Sequence, residues 1–112
     1  MLGLYTLPGG VVEIGETLRE AALRELMEEV GIVARIIAFN EHLESIVRRP
    51  DGVESHYVIA SFVAHWVSGE PRPSAEADDV AWTRIEDIAL LPTTPGLHEI
   101  LVRARSLIRS LA

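Results

Sequence analysis

Between Gly10 and Ile32 the chain reads GVVEIGETLREAALRELMEEVGI, and no other stretch constrains the fold as tightly. Thr17 followed three residues later by Glu20 is a capping-box pattern, and Gly31 is the residue type that most readily takes a left-handed cap. The spacing therefore predicts a helix that opens after Thr17 and closes at Gly31. With Leu18 at zero and about 100° per residue, Glu28, Glu25 and Glu29 fall near 280°, 340° and 20°. Ala22, Leu26, Val30, Leu23 and Met27 sweep from about 40° to 180°, so the apolar arc is expected against a sheet, with the carboxylates beside it. Arg24, near 240°, lies next to Glu28 and four residues after Glu20, placed to neutralise a carboxylate and hold the helix.

Crowded carboxylates cost free energy. Like charges three or four residues apart destabilise an exposed helix by a few tenths of a kcal/mol each, and anions near a helix C-terminus oppose its dipole. A solvated acidic face is the simplest reading of Glu25, Glu28 and Glu29. A hard divalent cation is the sharper one, because magnesium takes oxygen ligands and often contacts substrate phosphates. The Pro8-Gly9-Gly10 turn just upstream can add a backbone carbonyl to the same ion.

Charge bounds the partners. All ten basic residues are arginine, against seventeen acidic ones, for a formal net charge of -7. A polyanionic backbone or anionic membrane would be repelled, so neither nucleic acid nor membrane is expected as a partner. A small phosphorylated substrate remains compatible if a metal inverts the local field. With no cysteine, disulfides and thiolate metal sites are excluded. The sequence lacks both a signal-peptide pattern and an 18-residue apolar run, so a cytoplasmic protein is the default.

The remaining chain of 112 residues divides by its turn signals into one expected domain, 1–112. Leu2 to Leu7 suggests a strand end. Val33 to Phe39 and His42 to Val47 are β-rich, and Arg49-Pro50-Asp51-Gly52 is a turn leading into Ser55 to Val67, which predicts a hairpin. Ser68 to Asp79 reads as a polar loop, and Val80 to Ile85 as a short strand carrying Trp82. Thr94 and Pro95 suit the N-cap and N1 of a last helix. Its apolar stripe is Leu97, Ile100, Leu101, Ala104, Leu107, Ile108 and Leu111, with Arg103, Arg105 and Arg109 read as solvated. Phe39, Tyr57, Phe62 and Trp66 are read as core, with base stacking as the alternative.

The run matches the signature of MutT-like Nudix hydrolases. Gly10 is followed after five residues by Glu16, after seven more by Arg24-Glu25-Leu26, then Glu28-Glu29 and Gly31-Ile32. Leu7-Pro8-Gly9-Gly10 resembles the family's lead-in, with Tyr5 where tryptophan is common. The resemblance implies an α/β class, the Nudix α/β/α sandwich with a mixed sheet. It implies that Glu25, Glu28 and Glu29, with a carbonyl of Gly9 or Gly10, hold magnesium or manganese, and that Glu16 and Arg24 orient loop and helix. The implied reaction is hydrolysis of a pyrophosphate linkage in a nucleoside diphosphate derivative, with Glu25 or Glu76 as proton acceptor and Asp78 and Asp79 as rivals of Glu76.

Leu91-Pro92-Thr93-Thr94-Pro95, His56-Tyr57-Val58 and Gly69-Glu70-Pro71 resemble a bacterial subgroup of ADP-ribose pyrophosphatases, whose products would be AMP and ribose 5-phosphate. A nucleoside triphosphate pyrophosphohydrolase, for normal or oxidised nucleotides, is the alternative; a non-catalytic nucleotide-binding module is a third reading. His42, His56 and His65, or Arg48 and Arg49 at the hairpin turn, could contact phosphate, although solvated or structural roles are the simpler expectation; His98 reads as a first-turn residue of the last helix. Only seven residues precede Pro8, so the family's first strand and hairpin are expected to be missing, the domain N-terminally shortened, and the open sheet edge covered in a homodimer.

Overall fold

The computed structural model describes residues 5–75, 79, 80 and 82–111. Helix α1 spans Leu18–Val30, strand β1 Val33–Arg49, strand β2 Gly52–Ser68 and helix α2 Leu97–Leu111. A 3-10 helix, Ile85–Leu90, precedes α2.

The expected capping box is present at both of its bonds. Glu20 N–H donates to the Thr17 hydroxyl at 3.1 Å, and Thr17 N–H donates to the Glu20 carboxylate at 3.0 Å. Gly31, at φ 76°, closes the helix with its N–H on the Met27 carbonyl. Such caps satisfy backbone groups that the helix itself leaves unpaired.

β1 and β2 form an antiparallel hairpin, and the two β-rich segments of the sequence merge into one 17-residue strand. The gap between them is a β-bulge: Phe39 faces Phe62 and Glu41 faces Ser61, leaving Asn40 extra. The Ser61 hydroxyl donates to the Glu41 carbonyl at 2.7 Å, and Asn40 Nδ2 donates to the Ile100 carbonyl at 3.0 Å, so the bulge is fastened to α2. Before the bulge the half-buried residues are Ala34, Ile36, Ala38 and Asn40; after it they are Glu41, Leu43 and Ser45.

The sheet lies between the helices. Arg19 of α1 sits 5.4 Å over the Phe62 ring, whereas Gly96 at the start of α2 meets Leu43. The α/β/α arrangement of the Nudix sandwich is thus present in reduced form, with a two-stranded sheet. The single parallel pairing among the described residues is the isolated bridge between Tyr5 and Thr93.

Several expectations are corrected. Residues 80 and 82–84 are not a strand; the chain turns instead into the 3-10 helix, whose first-turn acids Glu86 and Asp87 both lie 3.5 Å from Arg84. Helix α2 begins at Leu97 rather than Pro95, because Gly96 has φ 86° and cannot extend it backwards. Arg103 and Arg105 are ion-paired, to Glu41 at 2.8 Å and Glu86 at 3.1 Å. The apolar stripe of α2 buries Leu97 and Ile100 but leaves Ile108 and Leu111 exposed. On α1, Ala21 and Val30 are buried while Leu23 and Met27 are exposed, so the buried residues do not follow the expected apolar arc. Phe39, Tyr57 (60% exposed) and Trp66 (57%) are not core residues. Among the described residues no helix is long and apolar enough to cross a membrane.

Candidate functional site

The glycine turn and the loop that follows it are bound to α1 by one side chain. Arg24 Nε donates to Glu16 Oε2 at 2.7 Å and Nη2 to Glu16 Oε1 at 2.9 Å, a two-point grip that fixes the plane of the guanidinium. Nη2 also donates to the Val11 carbonyl at 3.0 Å. Nη1 reaches Glu25 at 2.8 Å, Glu28 at 3.1 Å and, more loosely, Glu13 at 3.8 Å. The i,i+4 geometry anticipated the Glu28 contact; Glu20 is engaged in the cap instead.

These contacts set the electrostatics. The Arg24 guanidinium, followed by the Glu13 N–H, holds the Glu16 carboxyl below its ordinary value of 4.5. In return Glu16 and then Glu25 hold the Arg24 charge more firmly than usual. Glu16 and Glu25 side chains are only 15% and 12% exposed, against 51% for Glu28, so the first two pairs are less screened by solvent.

Gly10 leaves room for a carboxylate where the turn meets the helix. A Cβ on Gly10 would lie closer than 3.0 Å to the Glu25 carboxylate, so a side chain there would turn that carboxylate out of its present place. One residue earlier, Gly9 N–H donates to Glu29 Oε2 at 2.6 Å. Turn backbone and two of the three signature carboxylates therefore occupy the same small region.

A hard divalent cation fits this donor set in kind: the acids are all oxygen donors, and the Gly10 cradle brings main chain against Glu25. Their present side-chain arrangement is another matter. Among the described residues no three His, Cys, Asp or Glu side chains converge closely enough to hold a metal ion. Arg24 Nη1 lies on both Glu25 and Glu28, supplying there the positive charge that a cation would otherwise provide.

The other sequence candidates disperse. Glu76 and Asp78 lie outside the described residues. Asp79 accepts a hydrogen bond from the Tyr5 hydroxyl. His56 Nε2 is 3.1 Å from Glu44 and His42 Nδ1 is 3.3 Å from Glu41, each a strand-surface pair with a single carboxylate. His65 and His98 are exposed. Arg49 pairs with Glu54 across the hairpin turn at 2.8 Å, and Arg48 is exposed beside it.

Sequence reasoning missed the residues that hold the surroundings in place. Tyr5 N–H donates to the Pro92 carbonyl at 2.7 Å, and Thr94 N–H to the Tyr5 carbonyl at 3.0 Å. Arg72 N–H donates to the Val30 carbonyl at 3.1 Å, and its guanidinium lies against Gly31. Helix α1 has no basic residue in its last turn, and Arg72 places positive charge at that negative end. That missing C-terminal charge was the one signal available in the sequence.

Comparison with known proteins adds the lineage. The model of the NUDIX domain matches residues 2–104. A Nudix hydrolase, YvcI of Bacillus subtilis, is 31% identical over 99 residues, covering 88% of this chain and 63% of that protein. The ADP-ribose pyrophosphatase of Methanocaldococcus jannaschii is 32% identical over 101 residues, 90% of this chain and 56% of the other. The NAD-capped RNA hydrolase NudC of Escherichia coli O157:H7 is 37% identical over 98 residues, 84% of this chain and 34% of the other. The chain thus spans between a third and two thirds of the length of these relatives. The solution structure of the Escherichia coli ORF135 protein superposes with a TM-score of 0.69 at 25% identity, over 96% of this chain and 73% of that one.

Proposed function

The chain belongs to the NUDIX domain family, and on that premise we propose that it hydrolyses the pyrophosphate linkage of a nucleoside diphosphate derivative, with ADP-ribose as the substrate and AMP and ribose 5-phosphate as products. The observation that carries the reading is the convergence of turn and helix at Gly10 and Glu25, with Glu29 held by Gly9, in a chain that retains the full acidic signature. The relative from Methanocaldococcus jannaschii supports the choice of substrate.

Glu25, Glu28, Glu29 and the Gly10 carbonyl are the residues that would hold magnesium or manganese. A cation held there would neutralise pyrophosphate oxygens and lower the pKa of a water. In the proposed hydrolysis the oxygen of a water forms a bond to one phosphorus as the bridging P–O bond breaks. Its proton passes to a carboxylate, with Glu25 or Glu76 as the acceptor, and the leaving phosphate departs with the bridging oxygen. Arg24 and Glu16 keep the loop and helix in register throughout, through the two-point contact at 2.7 and 2.9 Å. Occupation by the cation requires Glu25 and Glu28 to turn from Arg24 Nη1, while the contacts of Nε and Nη2 can persist.

The test is a substrate panel of ADP-ribose, dinucleoside polyphosphates and normal and oxidised nucleoside triphosphates, with and without magnesium. Magnesium-dependent release of AMP from ADP-ribose is expected. Pyrophosphate release from a triphosphate at higher kcat/KM would replace the substrate assignment. Nucleotide binding with no turnover of any compound would overturn the hydrolase reading. A homodimer accompanies this proposal, because β1 and β2 pair with no other strand among the described residues and leave Tyr57, Val58 and Trp66 exposed. Sedimentation showing a monomer at high concentration would refute the dimer.

A further inference from the structure

Among the described residues of the segment leading into the glycine turn, Tyr5 is held at the most points. Its N–H and carbonyl are both used by the bridge to Pro92 and Thr94, at 2.7 and 3.0 Å. The next residue, Thr6, accepts from the Thr94 hydroxyl at 3.1 Å. Four residues after Tyr5, Gly9 N–H is fixed to Glu29. The arm from Tyr5 to Gly10 is therefore tied at its root to the segment before α2 and at its tip to α1.

The Tyr5 side chain adds a separate connection. Its hydroxyl donates to Asp79 Oδ2, across 74 positions of sequence, and this is an ion–dipole hydrogen bond of the stronger, charge-assisted kind. Asp79 closes the polar stretch whose other end is fastened to α1, where Arg72 N–H meets the Val30 carbonyl. Both ends of that stretch are thus anchored on elements that carry the site: α1 at one end and the glycine-turn arm at the other.

Resting on the hydrolase reading above, we infer that the Tyr5 hydroxyl is a positioning group that holds the segment ending at Asp79 against the arm bearing Gly9 and Gly10. The carboxylate beside it raises the Tyr5 phenol above its ordinary pKa, so the hydroxyl stays protonated and able to donate across the neutral range. The backbone bridge does not use the phenol oxygen, so removing that one atom separates positioning from folding. Where tryptophan would occupy the same place, its ring could fill the space but would carry no hydroxyl to meet Asp79.

The experiment is a double-mutant cycle of Tyr5→Phe and Asp79→Ala, with Asp79→Asn as the conservative partner, since its amide oxygen can still accept from the phenol. Trp82 lies three residues after Asp79 and is 68% exposed, and Trp66 stays in place in every variant, so a change in tryptophan fluorescence anisotropy reports the order of the tethered segment. Tyr5→Phe and Asp79→Ala are each expected to lower the anisotropy and to lower kcat on ADP-ribose by on the order of tenfold, with little change in melting temperature. The double variant should fall no further, and Asp79→Asn should remain near wild type. Additive losses, an Asp79→Asn protein as impaired as Asp79→Ala, or a Tyr5→Phe protein unchanged in anisotropy and kcat would each overturn the inference. The anisotropy cycle decides the tether without any catalysis, so a wild-type protein inactive on the whole substrate panel would remove the hydrolase reading alone.

Discussion

Replacing Gly69 by alanine should be one of the most damaging single-methyl additions in this protein. Gly69 has φ 100°, a conformation that L side chains rarely adopt, and its missing Cβ would point at the Gly31 carbonyl oxygen at a separation below 3.0 Å. That contact is between two backbones, so no side-chain rotation relieves it. The conformational part costs about 1 kcal/mol. Pushing the loop off the end of α1 also breaks the Arg72 N–H bond to Val30 at 3.1 Å and disturbs the bond from Trp66 Nε1 to the Gly69 carbonyl at 2.9 Å. At about 1 kcal/mol for each of these, the loss reaches about 3 kcal/mol, or about 12 °C in melting temperature for a chain of this size. Gly15→Ala is the matched control: its φ is 85°, yet nothing lies within 4 Å of the added methyl. It should cost only the conformational part, about 1 kcal/mol. Urea titration of the two variants, read by circular dichroism, measures the difference. Equal destabilisation by Gly69→Ala and Gly15→Ala would refute the claim that the loop and the helix end are in obligatory backbone contact.

Other outcomes follow from the same structure. Thr17→Ala removes the hydroxyl that accepts from Glu20 N–H and should destabilise by about 1 kcal/mol in chemical denaturation, with Thr17→Ser close to wild type. The folded-state pKa values of Glu16 and Glu20 are depressed, Glu16 by Arg24 and Glu20 by the Thr17 N–H and then its hydroxyl. Their stabilisation is therefore present above the ordinary 4.5 and lost as pH falls through the folded values; a Glu16→Gln protein should show a shallower loss on acidification in pH-dependent urea midpoints. Glutamine at position 28 or 29 should lower magnesium-dependent turnover by roughly 100-fold while the circular dichroism spectrum is retained, and an Asp78→Asn protein should lose far less.

What could be read in the sequence is mostly what is local in the chain. Thr17, Glu20 and Gly31 act within one helix, and Pro50-Asp51-Gly52 turns a hairpin whose partners are sequence neighbours, so spacing alone was enough. The placement of Glu25, Glu28 and Glu29 on one arc was equally legible. Their engagement was not, because Arg24 reaches Glu16 and the Val11 carbonyl only after the loop closes back on the helix. The strand expected around Trp82 failed for a related reason: alternating side chains describe a strand only if a partner backbone is available, and here Arg84, Glu86 and Asp87 favour a tight helical turn. Tyr5 and Asp79 carry no pattern that links them at all. Their contact exists because the bridge at Pro92 and Thr94 brings the arm alongside.

The extra residue at Asn40 acts on β1 much as a shifted reading frame acts on a message. Up to that point even-numbered positions are the more buried ones, and beyond Glu41 the odd-numbered ones are. Deleting Asn40 alone would restore plain alternation and keep Glu41, Leu43 and Ser45 on their present face, whereas deleting Asn40 and Glu41 together would exchange the two faces of everything toward the hairpin tip, turning His42 inward and Leu43 outward. Tolerance to length change along β1 should therefore depend on parity rather than on the number of residues lost.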